Sequence, residues 1–388
     1  MGTRRVVGVA AVLLVALVAG GLVLERGLGG TDRAAVLDPR AEPLAVAAPV
    51  PTYTLGAERG LLVRSGGAGR VLPDGVEGRW LPGGALLVVA EDRRRLRLVD
   101  PSSGEVLAEA PVGLADLPGR SAGRVNLLAR YGRPSVLRSW SADLGAAEKV
   151  VLPETDDPAA EDDPDITRNY FGVAATVGDA TFVLWHDSSE TYDDGDRGVA
   201  RIRDGEVDTV LRGEPLVALY LSVDGASLLA LRQVRGEPCG GCVVEQEVVE
   251  IDPVEGTLRS YGHPDEYDES WRVDAIDRVG DRVAVRYVRT GDGRVPRERN
   301  LLGTYVYADG DWSLLPGSDE ATTWWQDGGR VIARPAREPL RGADGYRISW
   351  VRDGSDRERP VEGELVTTYG RFGARFGSVA GQLLPPGD

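Results

Sequence analysis

One unit recurs seven times along this chain: an apolar run of β-forming residues, a D-G, D-P-x-x-G or similar turn, then a second run ending on an apolar residue. It reads LLVRSGGAGRVL (61–72), LRLVDPSSGEVL (96–107), LRSWSADLGAAEKVVL (137–152) and ARIRDGEVDTVL (200–211). It returns as VVEIDPVEGTLRSY (248–261), YVYADGDWSLL (305–315) and RISWVRDGSDRERPV (347–361). Short apolar runs bounded by turn residues predict strands rather than helices, and no long 3.6-residue periodicity interrupts them. The chain from Tyr53 onward is therefore predicted to be all-β, built from antiparallel hairpins.

A second hairpin precedes most copies: WLPGGALLVVA (80–90), VAATVGDATFVLWH (173–186), ALYLSVDGASLLALRQ (218–233), DAIDRVGDRVAVRYV (274–288) and TTWWQDGGRVIARP (322–335). Two hairpins per unit make a four-stranded antiparallel sheet. Radial repetition of such sheets is the signature of a β-propeller. LSVDGASLLAL and WQDGGRVIA resemble the S-x-D-G-x-x-L-A inner hairpin of TolB-like and WD40-like propellers. The resemblance implies that fold and a preference for binding peptides or proteins. It implies no chemistry, and the GH…WD dipeptides of true WD40 repeats are missing.

The first copy has no hairpin before it, while an orphan run, GELVTTYGRFGARFGSVAGQLL (363–384), ends the chain. A propeller must close its ring or leave sheet edges exposed. The C-terminal run is therefore expected to complete the blade begun by residues 53–72, giving seven blades. In a four-stranded meander A-B-C-D, the A–B and C–D turns share one face, and the B–C loops and D–A links share the other. Here the first set is mostly tight and the second carries the long insertions.

Those insertions are charged, and loops on a rigid scaffold are where binding residues collect. Acidic ones are ETDDPAAEDDPD (154–165), with Asp156, Asp157, Asp162 and Asp163, and HDSSETYDDGDRG (186–198), with Asp187, Glu190, Asp193, Asp194 and Asp196. A third, HPDEYDES (263–270), carries Asp265, Glu266 and Asp268. Basic ones carry Arg294, Arg297 and Arg299 in one loop and Arg337 and Arg341 in another. The expected surface has an acidic and a basic sector, suited to docking a charged protein or envelope polymer. The same carboxylates suit, as the alternative, an extracytoplasmic hydrolase or lyase. Calcium is the cation they would take, because it favours several oxygen ligands, although Asp193-Asp194-Gly195-Asp196 lacks the EF-hand spacing.

The N-terminus sets the expected compartment. Arg4 and Arg5 precede an uncharged run of 19 residues, Val6 to Leu24. As a helix it would span roughly 28 Å, close to the ~30 Å hydrocarbon core of a bilayer. Residues 1–24 are read as a signal-anchor helix, 25–52 as a flexible linker and 53–388 as the propeller. Arginines before the helix place the rest outside the cell by the positive-inside rule. Lys149 is the single lysine beside 44 arginines, and 51 glycines add to that bias, as in a GC-rich bacterial genome. The net charge of −16 argues against nucleic acid, which needs a basic footprint.

Cys239 and Cys242, in EPCGGCVVEQE, are the only cysteines. A redox C-x-x-C sits at a helix start in a βαβ unit, and neither is expected here. Outside the cell a loop-stapling disulfide is expected instead. A Cys₂His₂ zinc site with His186 and His263 is the sharper alternative, since these four are all the cysteines and histidines in the chain. With two histidines and no G-x-S-x-G or H-E-x-x-H motif, nothing points to a nucleophilic triad or a zincin.

Overall fold

The computed structural model describes residues 52–385, apart from 58–59, 66–67, 82–85, 113–123, 130–133, 142, 146, 164, 190–194, 223–224, 236–244, 269, 290–300, 336–342, 369–375 and 380. The expected membrane helix and most of the tether lie outside these residues, as do Cys239 and Cys242. Among the described residues no helix is long and apolar enough to cross a membrane.

The chain folds into seven sheets arranged as a β-propeller. The first holds β1 (Tyr53–Ala57), β2 (Gly60–Ser65) and β3 (Ala68–Leu72). The second is β4 (Gly75–Trp80), β5 (Leu86–Ala90), β6 (Arg95–Val99) and β7 (Val106–Pro111). The third has three strands among the described residues: β8 (Arg124–Ala129), β9 (Val136–Ser141) and β10 (Glu148–Val151). The fourth is β11 (Thr167–Val177), β12 (Ala180–Ser188), β13 (Arg197–Arg203) and β14 (Glu206–Arg212). The fifth is β15 (Leu216–Leu221), β16 (Leu228–Arg235), β17 (Glu245–Ile251) and β18 (Leu258–Gly262). The sixth is β19 (Trp271–Val279), β20 (Arg282–Arg289), β21 (Leu301–Ala308) and β22 (Asp311–Leu314). The seventh is β23 (Thr322–Gln326), β24 (Gly329–Pro335), β25 (Ala343–Arg352) and β26 (Arg359–Thr368). Every repeat found in the sequence is the second hairpin of a blade.

The last strand, β27 (Phe376–Val379), returns to the first sheet and pairs antiparallel with β1, giving the order β27-β1-β2-β3. The ring thus closes through the C-terminus as expected, but with one strand joined to three N-terminal ones, because residues 363–368 of the expected closing run belong to β26 of the seventh blade. The chain then runs on across the turn face. Gln382 exchanges backbone hydrogen bonds with Trp325 at 2.8 and 3.0 Å. The Leu383 amide donates to the buried Asp277 carboxylate at 3.0 Å. Arg282 Nη2 donates to the Pro385 carbonyl at 3.1 Å. Leu383 and Leu384 are buried in a cluster with Tyr53 and Leu62 of the first blade, Ala284 and Val306 of the sixth, and Trp324 and Val331 of the seventh. A short tail therefore fastens three blades together at the closure point.

Turn chemistry also joins neighbouring blades. In the D-P-x-x-G turns, Asp100 and Asp252 accept amide hydrogens from the residues two and three ahead. This Asx geometry is what aspartate favours at a turn start. An arginine of the preceding blade then caps the turn carbonyls: Arg70 reaches Ser102 and Ser103, and Arg201 reaches Pro253 and Val254. Gly256, at φ +70°, must be glycine on two counts, because a Cβ there would also lie 1.9 Å from the Val210 carbonyl oxygen.

Trp140, Trp185, Trp271 and Trp350 are buried between sheets, consistent with blade packing. Of the adjacent pair, Trp324 enters the cluster at the closure point with Arg286 of the sixth blade 4.9 Å over its ring. Trp325 points the other way, with Arg330 over it at 5.0 Å, as alternation along a strand requires.

Candidate docking face

The B–C loops and D–A links share one face, and among the described residues its most developed part lies between the third and fourth blades. The link 152–166 carries a single 3-10 turn, Pro158–Glu161. Asp157 caps it, accepting the Ala159 amide at 2.9 Å, with Pro158 supplying a pre-set φ at the first position. Asp163 turns the chain into β11 by accepting the Asp165 amide at 3.0 Å, and it also accepts the Ser189 hydroxyl at 3.0 Å. The link is thereby tied to the loop that follows β12.

Beneath it lies an arginine–aspartate network. Asp187 stands in β12 and is fully buried. Arg168, directly opposite in β11, holds it in a two-pronged pair with Nε–Oδ1 at 3.0 Å and Nη2–Oδ2 at 2.8 Å. The same guanidinium reaches Asp156 and lies 3.8 Å over the Trp185 ring. Arg212 completes the set, donating to Asp156 at 2.8 Å and to Asp196 at 2.7 Å. Gly198 sits opposite Trp185, where a Cβ would come within 2.9 Å of the indole. Burial favours the uncharged form of Asp156, but hydrogen bonds from Arg212 and Arg168 outweigh it and hold the carboxyl below its ordinary range. Burial likewise opposes charge on Arg168, and its bonds to Asp187 and Asp156 more than offset this, so the guanidinium is held more firmly protonated. Burial pushes the neighbouring Tyr170 hydroxyl up to about 12, and that hydroxyl donates to the Pro153 carbonyl at 3.0 Å.

Of the acidic residues singled out in the sequence, Asp156, Asp157, Asp187 and Asp196 are thus drawn into one network, Asp163 is held by Ser189, and Asp162 stays exposed. Glu190, Asp193 and Asp194 lie outside the described residues. The sequence reading missed Arg168, Arg212 and Trp185, which decide what the carboxylates can do. Arg168 carried a signal, as the cation nearest in sequence to the first acidic stretch; Arg212 carried none, since Arg197, Arg201 and Arg203 all stand closer to the second.

The third acidic segment, 263–270, behaves differently. Asp265 and Glu266 are exposed and have no ion pair among the described residues. Asp268 accepts the Ser270 hydroxyl and amide, which lower its carboxyl from the ordinary value, the hydroxyl bond contributing most. His263 packs on the Tyr267 ring with centroids 4.7 Å apart and meets Glu245 and the Pro264 carbonyl with its two nitrogens. His186 lies edge-on to Phe171 at 5.3 Å. Among the described residues no three His, Cys, Asp or Glu side chains gather as a metal-holding group. In the basic sector, Arg334 pairs with Glu358 and Arg289 is exposed. Arg294, Arg297, Arg299, Arg337 and Arg341 lie outside the described residues.

No family model matches the sequence, and no curated protein matches it. Solved structures share the architecture. The β-propeller domain of the Trilobed protease from Pyrococcus furiosus is 12% identical, with a TM-score of 0.49 over 78% of this chain and 86% of its own. A prolyl endopeptidase structure is 15% identical, with a TM-score of 0.46, and this chain spans only 47% of its length. An oligogalacturonate lyase in complex with manganese is 13% identical, with a TM-score of 0.43 over 71% of this chain and 79% of its own. The seven-bladed propeller is read from this chain's own seven sheets.

Proposed function

We propose that this chain is a binding propeller that docks a charged protein or polymer of the cell envelope on the face formed by its B–C loops and D–A links. The membrane helix expected at residues 1–24 would hold that face near the bilayer on a tether. One observation carries the reading. Where carboxylates converge, between the third and fourth blades, arginines occupy them: Asp156 bridges Arg168 and Arg212, Asp187 is buried against Arg168, and Asp196 is taken by Arg212. Acids already bonded in this way are poorly placed to shuttle protons or hold a cation. Among the described residues, Asp265 and Glu266 form no ion pair and stand exposed. A rigid ring with stitched loops and exposed rim charges is the arrangement of a docking surface, in which charge steers and registers a partner.

The test is co-purification of the full chain from native membranes under mild crosslinking, comparing wild type with an Asp265→Asn, Glu266→Gln, Asp268→Asn variant. The reading expects a partner whose recovery falls several-fold with the variant and with rising salt. Equal recovery from both, across the salt range, would remove this segment from the interface.

A further inference from the structure

We propose that His263 is a proton-operated clasp, fastening the acidic segment 263–270 to the fifth blade when the imidazole is charged and loosening it when the ring is neutral. Nδ1 lies 3.0 Å from the Pro264 carbonyl oxygen, and Nε2 lies 3.1 Å from Glu245 Oε1. Both partners are acceptors. A neutral imidazole carries one N–H, so it satisfies one of them and turns a lone pair toward the other. The imidazolium donates to both and adds charge attraction to Glu245. The geometry therefore suits the protonated ring.

The clasp sits where it can act on the whole segment. Glu245 opens β17, and the next residue, Gln246, donates its amide to the Tyr267 hydroxyl at 3.2 Å. Tyr267 stacks on His263 and touches Trp271 and Tyr287 edge-on at 5.9 and 6.0 Å. The segment is held to itself by the Tyr267 amide on the Pro264 carbonyl and the Trp271 amide on the Asp268 carbonyl. Among the described residues, the charged or titratable groups around the ring are few. They are Glu245 from β17, Tyr267 with Asp265, Glu266 and Asp268 from the segment itself, Arg272 from β19, and Tyr287 and Arg289 from β20. Burial keeps the Tyr267 phenol neutral at any pH of interest, so it does not compete as a switch. Asp265 and Glu266 ride on this segment, so their presentation follows the proton.

Hydrogen exchange on the full chain, read by mass spectrometry, tests this without any partner and so independently of the docking proposal. After correction for intrinsic rates, peptides spanning 264–271 should gain roughly ten-fold protection between about pH 8 and about pH 5.5. In His263→Gln and Glu245→Gln that dependence should vanish, while β12 stays as protected as in wild type. PH-independent protection in wild type, or an unchanged dependence in both variants, would overturn the clasp. Should a variant fail to fold, the wild-type imidazole ¹⁵N spectrum decides. The chain has only two histidines, and two hydrogen-bonded N–H signals from the same ring at low pH are required of His263. If instead both of its N–H protons exchange freely with water, the proposal fails.

Discussion

At the scale of single residues, the strongest determinant of the loop face is Asp187. It is fully buried, and its charge is tolerated only because Arg168 meets both oxygens. Removing one partner of such a pair leaves the other buried and uncompensated, which costs roughly 3–5 kcal/mol. Arg168→Ala, which leaves Asp187 buried with no arginine partner among the described residues, is therefore expected to lower the denaturation free energy by about that amount. Arg201, paired with the half-exposed Asp208, gives the contrast: Asp208→Ala should cost no more than about 1 kcal/mol. Urea titration of the two variants separates the cases, and equal losses would mean that the Arg168 pair is not the anchor described here. This pair was hard to read from the sequence for a specific reason. Counting back from the turn at Val177 and Ala180 puts Arg168 opposite Ser189. A bulge between Phe171 and Ala175, with Gly172 at φ +75°, moves the register by two and puts it opposite Asp187.

At the scale of elements, the hairpins were legible because their turns are spelled by residue type. D-G and D-P-x-x-G fix both the turn and the strand limits on either side. What the sequence could not spell is the reach of arginine side chains between blades, since Arg70 and Arg201 bind turns 32 to 53 residues away. The Asp100 turn permits a pH test. The Ser102 hydroxyl at 2.6 Å and the Ser102 amide at 2.7 Å lower this carboxyl from 3.8 to about 2. A carboxyl depressed on folding adds stability that is full above its ordinary value and disappears as pH falls through the depressed one. The gap in melting temperature between wild type and Asp100→Ala should accordingly be constant above about pH 5 and shrink progressively as pH falls through 3.8 to about 2 and below. A gap that does not change over that window would mean that the aspartate does not hold the turn through its charge. The acidic loops show the opposite limit of legibility. Their composition announced charge but not its compensation, because the neutralising arginines belong to strands rather than to the loops themselves.

At the scale of the whole molecule, ring closure governs stability. A strand from one terminus pairs with a strand from the other, and the tail that follows locks the seam by inserting Leu383 and Leu384. Ending the chain before Gly363 removes the second half of β26 together with β27 and the tail, exposing the edge of β1. Such a truncation is expected to lose soluble, cooperative folding, checked by circular dichroism and sedimentation. A monomeric domain with a sharp melt would show that closure is dispensable. Removing only residues 381–388 should be milder, costing roughly 1.5–3 kcal/mol for each leucine returned to water. The closure and the blade count were both readable, because a propeller cannot leave an edge unpaired. The split of the surface into a turn face and a loop face followed from strand order alone.

That split is also where the functional proposal is most exposed. Glu266 lies on the loop face and Asp309 in the tight β21–β22 turn on the opposite face, and both are solvent-exposed. A photo-crosslinking residue placed at each position in turn, in the full chain in native membranes, reports directly which face meets the partner. Docking through the loop face requires a discrete adduct from position 266, lost with excess salt, and none from position 309. An adduct from position 309 alone, or the same adducts from both, would contradict it.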